Sequence, residues 1–301
     1  MNRLRCFIAL SALLGNACAT PTAEEKQHEQ YEQLSTSLKD EKEVGRQMAA
    51  KLIGSMGLYD NPDVSKYVSL VGLTVAAQSS RPEITYHFGI LKSDEVNALA
   101  TPGGYIFVTT GLLKSLRSES ELAGILGHEI AHVTERHMYS EIMPKRQVSA
   151  AETMTRLLSR GASDIGFSLG KIVNAGMDLL LEKGLGPEKE SEADSVGIAF
   201  AMSAGYSANS LLEYLRYLAD QTSGVRVSKT HPPFPERITN LLNYMQKNGI
   251  YAKSRRKSSA LLQGRFSRAM SLLQIGVADR VDSTRRAGDT SPPDEGVKSL
   301  K

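Results

Sequence analysis

The stretch Glu121-Leu122-Ala123-Gly124-Ile125-Leu126-Gly127-His128-Glu129-Ile130-Ala131-His132 reads as one buried helix with ionisable groups at its centre. A rotation of about 100° per residue puts His128 and His132 about 40° apart and one turn above each other, so two imidazoles can reach one metal ion. Glu129 stands on the neighbouring side of that face. A carboxylate there can take a proton from water, and zinc lowers the pKa of a coordinated water to about 7. The bland alternative is a helix that merely happens to carry two His and a Glu. However, Leu122, Ile125, Leu126, Ile130 and Val133 make this helix apolar nearly all round, and polar groups at the centre of such a helix are costly unless compensated. The spacing therefore points to one zinc ion per chain, with His128 and His132 as ligands and Glu129 as the base.

A chain of 301 residues, 41% hydrophobic and 23% charged, can bury a full core in one large domain or two small ones. Its net charge of +3 is too small to argue for nucleic acid, and the absence of Trp removes a common base-stacking platform. Residues 1–19 predict an export signal: Arg3 and Arg5 precede the apolar run Phe7 to Leu14, which ends in Gly15, Ala17 and Ala19. Ala17-Cys18-Ala19 fits cleavage after Ala19. Leu14-Gly15-Asn16-Ala17-Cys18 resembles a bacterial lipobox and makes Cys18 the candidate lipidation site, with an anchor on a membrane surface. Cys6, the other cysteine, lies within the signal, so no disulfide is expected in the mature chain.

Residues 20–39 are polar and read as a tether or a solvated helix start. Val44, Met48, Leu52, Ile53 and Met56 then recur at helical spacing until Gly57, and Asn61-Pro62 opens a second helix with Val64, Tyr67, Val68, Val71 and Val75 on one face. After Pro82 the period changes to two through Ile84, Tyr86 and Phe88, as in a strand. Val96 to Gly111 reads as strand, Pro-Gly-Gly turn and strand, leading into the metal helix. Gly104, Tyr105 and Ile106 are the expected substrate-binding positions, because a strand beside a cleft can hold an extended peptide through main-chain hydrogen bonds. An ordinary hairpin explains the pattern equally well.

A catalytic zinc normally has a third protein ligand. His137 is nine residues from His128, about 180° round a continuous helix, so it is expected to point away as a surface or outer-layer residue. Downstream, Glu188 to Phe200 forms another helix with the stripe Ala193, Val196, Gly197, Phe200 and Ala204. Glu190 is the acid nearest that stripe, and periodicity leaves it open between a ligand and a solvated face. Asp194, one turn on, could accept a hydrogen bond from the free ring nitrogen of a ligating His.

These blocks resemble the HtpX and CaaX-prenyl-protease type of zinc metallopeptidase, a gluzincin. The likeness runs from about Val44 to Leu242 on Asn97-Ala98-Leu99-Ala100-x-Pro102-Gly103-Gly104, His128-Glu129-x-x-His132 and Glu190-x-x-x-Asp194-x-x-Gly197. The resemblance is strongest to exported, LoiP-like and BepA-like bacterial members without a helical-repeat domain. It implies that Glu190 is the third zinc ligand and that Asp194 supports a ligand His. It further implies that the His of His231-Pro232-Pro233-Phe234-Pro235-Glu236-Arg237 approaches the metal, either as an oxyanion donor or as a cap on the open position. A His stacked on prolines is the plain alternative for His231, and Arg237 could pair with a site carboxylate.

Gly161 to Gly186 is either a lid or a plain packed helix, and Tyr206 onward gives a helix with Leu211, Leu212, Tyr214, Leu215 and Leu218. Residues 251–280 are basic and amphipathic, suited to packing on the domain or to an anionic membrane, and 281–301 read as a disordered tail. The fold expected over 40–250 is α+β and mostly helical, a zincin-like domain with a small antiparallel sheet beside the metal helix. The function expected is a zinc endopeptidase of the bacterial periplasm, anchored to the outer membrane, that degrades unfolded or misassembled envelope proteins. The alternative is a chaperone-like outer-membrane assembly factor with a latched zinc site.

Overall fold

The computed structural model describes residues 23–143, 162–221, 230–231, 234–250 and 260–287. The signal and Cys18 lie outside them, as do 251–259 and 288–301. By its contacts the chain divides into Met1–Lys39 and Asp40–Lys301. Helix α1, Ala23–Met56, begins inside the polar segment, so residues 23–39 are helical. Gly57 ends it in the left-handed conformation, φ 73°, which a residue without Cβ adopts freely. Helix α2, Pro62–Ala76, opens as its sequence predicts, with Pro62 in the first turn and the Asn61 side chain accepting from the Val64 N–H at 3.2 Å.

Three strands follow: β1, His87–Leu91; β2, Ala98–Thr101; and β3, Tyr105–Thr109. Their order is β1-β3-β2. The β2–β3 hairpin is antiparallel as expected, but β1 joins β3 in parallel, so the sheet is mixed. The reason is connective: the chain crosses from β1 to the far side of the sheet before turning back at Pro102–Gly104. Ile84 and Tyr86, expected within the first strand, are buried just ahead of it.

Helix α3, Thr110–Ser115, is capped by Thr109, and helix α4, Glu119–Thr134, by Ser118, whose hydroxyl accepts from the Glu121 N–H at 3.2 Å. Every residue of α4 is buried. Helix α5 is His137–Ile142, α6 is Ala162–Asp178 with a π turn after it at Leu179–Lys183, and α7 is Pro187–Ser203. Then come α8, Ser210–Asp220, α9, Phe234–Lys247, and α10, Ala260–Ala287.

One core cluster packs Val44, Met48 and Leu52 of α1 against Leu91, Leu99 and Phe107 of the sheet, with Met138, Val173 and Leu180. Val173 makes α6 a packed helix, the plainer of its two readings. Helices α4 and α7 cross at their glycines. A Cβ on Gly127 would stand 2.5 Å from the Gly197 carbonyl oxygen, and one on Gly197 would stand 2.5 Å from the His128 nitrogen. That approach brings the acids of α7 to the histidines of α4.

Helix α10 buries Phe266, Ala269 and Leu273 and ties Arg265 to Glu119 at the start of α4, so the described part of the basic segment over 260–273 packs on the domain. It runs on through residues 281–287, which are helical rather than disordered; no Gly or Pro interrupts them before Gly288. No described helix is long and apolar enough to cross a membrane.

Candidate active site

His128 and His132 project from α4 with their Nε2 atoms 3.0 Å apart. The Glu190 carboxylate of α7 closes the triangle, with Oε2 3.5 Å from His128 Nε2 and Oε1 3.4 Å from His132 Nε2. Three donors bound at about 2.0–2.1 Å around a tetrahedral zinc lie roughly 3.3 Å apart, so the spacings bracket what zinc requires. All three side chains are buried.

Behind His128, Nδ1 donates to Asp194 Oδ1 at 2.8 Å, and Arg237 of α9 grips the same carboxylate, Nε to Oδ2 at 2.9 Å and Nη2 to Oδ1 at 2.5 Å. Burial alone would raise the Asp194 carboxyl, but Arg237 and His128 outweigh it and hold it at about 2. Asp194 is therefore an acceptor only, which turns the other ring nitrogen of His128 to the site.

The support behind His132 differs from the sequence expectation. Helix α4 stops at Thr134, and Arg136 takes the left-handed conformation, φ 56°, with its guanidinium over the Tyr139 ring and its Nε 3.0 Å from Glu41. The chain doubles back, so His137 starts α5 beside His132 instead of lying half a turn away on one continuous helix. His137 is buried, with Nδ1 3.0 Å from His132 Nδ1 and Nε2 3.1 Å from Glu192 Oε2. Glu192 accepts from His137 Nε2–H, His137 Nδ1 then accepts from His132 Nδ1–H, and His132 Nε2 faces the site as a lone pair.

The electrostatics call for a positive charge among the three donors. Burial and Arg237 push His128 down, yet Asp194 and Glu190 prevail and raise it to about 9, while burial takes His132 down to about 3. Glu190 is held well below the ordinary carboxylate range, against its burial, by His231, His128 and His132. With nothing bound, a proton on His128 meets this demand; a metal cation would displace it. The residues present thus fit zinc.

Glu129, buried between the ligands, lines the clefts on both sides of this triangle, and burial raises its carboxyl above the ordinary range, toward that of a base working near neutral pH. His231, half-buried, places Nδ1 2.8 Å from Glu190 Oε2, and one donor atom each from His128, Glu190 and His231 lies within 4.8 Å of the others. Arg237 Nη1 stands 3.6 Å from Glu190 Oε2.

The expected peptide-holding strand is displaced by one. Gly104, Tyr105 and Ile106 lie at the start of β3 or just before it, and β3 is the centre of the sheet, paired on both edges. The edge strand is β2, and Ala98 to Pro102 line the cleft. Asn97 O accepts from Thr109 N at 3.1 Å, so the main-chain groups of Asn97, Leu99 and Thr101 turn to β3, and those of Ala98 and Ala100 turn to the open side. The alternation could have been read from the sequence, but not which strand of the hairpin is outermost. Asn97 Oδ1 is buried in the cleft wall without a hydrogen-bond partner among the described residues.

The sequence profile of Peptidase family M48 matches residues 62–245, which hold both site helices and the edge strand. The chain belongs to peptidase family M48. Among M48 relatives, the beta-barrel assembly-enhancing protease of Escherichia coli (strain K12) is 26% identical over 218 residues, 69% of this chain and 44% of that protein. The putative beta-barrel assembly-enhancing protease of Vibrio cholerae is 30% identical over 191 residues, 60% of this chain and 39% of that protein. Metalloprotease YcaL of E. coli is 28% identical over 158 residues, 52% of this chain and 60% of that protein. The M48 chain thus spans less than two thirds of each of these relatives.

Proposed function

We propose that the chain is a zinc-dependent endopeptidase that takes extended peptide on the open edge of β2 and cleaves it beside Glu129. The observation that carries this is the triangle of His128, His132 and Glu190, closed to zinc spacing and flanked by a buried, raised Glu129. Zinc, when bound, supplies Lewis-acid polarisation of the peptide carbonyl and activates water for attack. Glu129 takes the proton of the attacking water and passes it to the leaving amine. In this reading His231 donates toward the carbonyl oxygen as charge develops there. Ala98 and Ala100 offer their outward N–H and C=O groups to the peptide main chain, which accommodates many sequences. Asn97 Oδ1, buried without a partner among the described residues, can accept a peptide N–H.

A second reading rests on His231. Its contact with Glu190, and the closeness of its ring nitrogen to donors of His128 and Glu190, support a role as a cap that would hold the metal and silence the site. A latched site suits a chaperone-like assembly factor, and two relatives carry names that speak of enhancing β-barrel assembly. Substrates for either reading are unfolded or misassembled proteins of a bacterial envelope, with the chain held in the periplasm by lipid at Cys18. Mass spectrometry of the mature N-terminus checks that anchor.

Casein cleavage by zinc-loaded wild type, Glu129→Gln and His231→Ala, side by side, tests the reading. Loss of about 10²–10⁴-fold in Glu129→Gln is expected. Unchanged cleavage in that variant would sink the protease assignment. A gain in His231→Ala makes the loop a latch, and a loss makes His231 the oxyanion donor.

A further inference from the structure

The three most exposed large apolar side chains among the described residues, Leu70 (56%), Leu73 (49%) and Leu261 (69%), fall on two helices that pack together, α2 and α10. These helices run antiparallel. Arg265 of α10 reaches Glu119 beside Tyr67 of α2, and further along Leu272 O accepts from Asn61 Nδ2 at 3.5 Å and Leu273 O from the Tyr59 hydroxyl at 3.2 Å. At about 1.5 Å of rise per residue, Leu261 is therefore level with Leu70, about one turn past the point where Arg265 meets Tyr67. The spacing on the two helices matches: Lys66, Leu70 and Leu73 recur at i, i+4 and i+7, as do Leu261, Arg265 and Arg268, and all six are exposed. Scattered surface leucines are ordinary, but a shared outer face of leucine and cation is not. Asp63 is the one acid in α2, and residues 260–273 hold none. Glu119 takes the charge of Arg265, while Lys66 and Arg268 have no carboxylate partner among the described residues. Lys253, Arg255, Arg256 and Lys257 lie outside the described residues, and the reach of the chain keeps their charge within about 25 Å of Ala260.

A second copy on this face would set like charges against each other across an isologous contact, and the core of a protein interface is depleted of charge. Leucines set among long basic side chains match the boundary of a bilayer instead. There the apolar side chains enter the acyl region while the Lys and Arg stems reach back to the phosphates. We propose that the outer face of α2 and α10 docks on an anionic phospholipid surface, with Leu70, Leu73 and Leu261 entering the acyl boundary and Lys66 and Arg268 at the phosphates. The contact is a property of the folded domain and depends neither on the endopeptidase reading nor on lipid at Cys18. Joined to an acyl anchor, it supplies a second point of attachment and so fixes how the domain is oriented, which one tether cannot do.

Sedimentation with lipid vesicles tests this on the exported Cys18→Ser chain, which keeps small residues for cleavage after Ala19 and carries no acyl group. Binding to vesicles of phosphatidylglycerol and phosphatidylethanolamine should exceed binding to phosphatidylcholine by about tenfold or more at about 0.1 M salt, and should weaken at about 0.5 M. Leu70→Gln with Leu73→Gln should lower it about tenfold or more. Lys66→Gln with Arg268→Gln should lower it about 10–30-fold on the anionic vesicles alone. The chain has no Trp, so Leu73→Trp adds a single fluorophore, whose emission should shift to the blue on anionic vesicles. Failure to bind anionic vesicles overturns the proposal. So does binding that the leucine pair leaves unchanged, which would be the work of basic residues alone, or an unshifted emission from Leu73→Trp. A wild-type dimer that Leu70→Gln with Leu73→Gln dissolves gives the face to a second copy and overturns it as well. The fluorescence decides alone should the paired variants not fold.

Discussion

Behind His128 stands a carboxylate, Asp194, clamped by Arg237 through two hydrogen bonds and sealed from water; behind His132 stands an imidazole, His137, which passes its other nitrogen to Glu192 at the surface. The two ligands are one turn apart on one helix, yet they are braced by opposite chemistry. The charged brace makes His128 strongly basic and fixes its ring. A second carboxylate set directly against His132 would add negative charge to a site that already holds Glu129, Glu190 and Asp194 against Arg237. The neutral relay orients His132 without adding that charge. It also ties the two braces to different risks: one is bound up with the folding of the core, the other with the local geometry of the α4–α5 break.

Breaking the charged brace should cost most. Asp194→Ala leaves the Arg237 guanidinium buried without its partner, and a loss of about 3–5 kcal/mol of stability is expected, read as a fall in Tm of the metal-free protein. Asp194→Ala combined with Arg237→Met should recover much of that loss, because an uncharged, filled site is cheaper than an orphaned charge. A double variant no more stable than the single would show that the pair is not coupled as the distances indicate. Next in size, Gly197→Ala disturbs both braces together. Its new Cβ would press on the backbone at His128, and since Asp194 and Glu192 share α7, displacing that helix moves both partners. A loss of about 1–3 kcal/mol is expected, with weaker zinc binding in competition against a chelator.

The neutral brace should show itself in metal affinity. His137→Ala removes the acceptor for His132 Nδ1–H, and zinc affinity should fall about 10–100-fold, with a smaller change in the Tm of the metal-free protein than Asp194→Ala produces. His137→Gln, which keeps an acceptor and a donor, should recover part of the affinity. Equal zinc binding in wild type and His137→Ala would remove His137 from the site.

This contrast marks where the sequence could be read and where it could not. The charged brace lies on regular helices: α7 keeps Glu190 and Asp194 one turn apart, so period put them on neighbouring positions of one helix but left open whether Glu190 faced a metal or solvent, which the crossing at Gly127 and Gly197 decides by seating them against α4. The neutral brace depends on Arg136 adopting φ 56°, with no Gly or Pro to announce the break, and extrapolating one helix through residue 137 put the imidazole on the wrong side. The sheet failed in a similar way. Alternation located the strands, but only the crossover after β1 makes β3 central and leaves β2 as the open edge. Packing partners many residues away decided both outcomes, and periodicity carries no record of them.

Glu192→Gln gives the smallest and sharpest test of the relay. Glu192 is 55% exposed, so water competes for its charge and competes to replace its hydrogen bond. The Gln oxygen still accepts from His137 Nε2–H, and the tautomer chain to His132 survives. Stability should therefore change by no more than about 0.5 kcal/mol, and zinc affinity by only a few-fold. A loss as large as that of His137→Ala would mean that His132 depends on the Glu192 charge conducted through His137, and the two braces would then be electrostatically alike. Near-equality with wild type leaves the contrast standing: one ligand held by a buried charge, the other by the direction of a neutral ring.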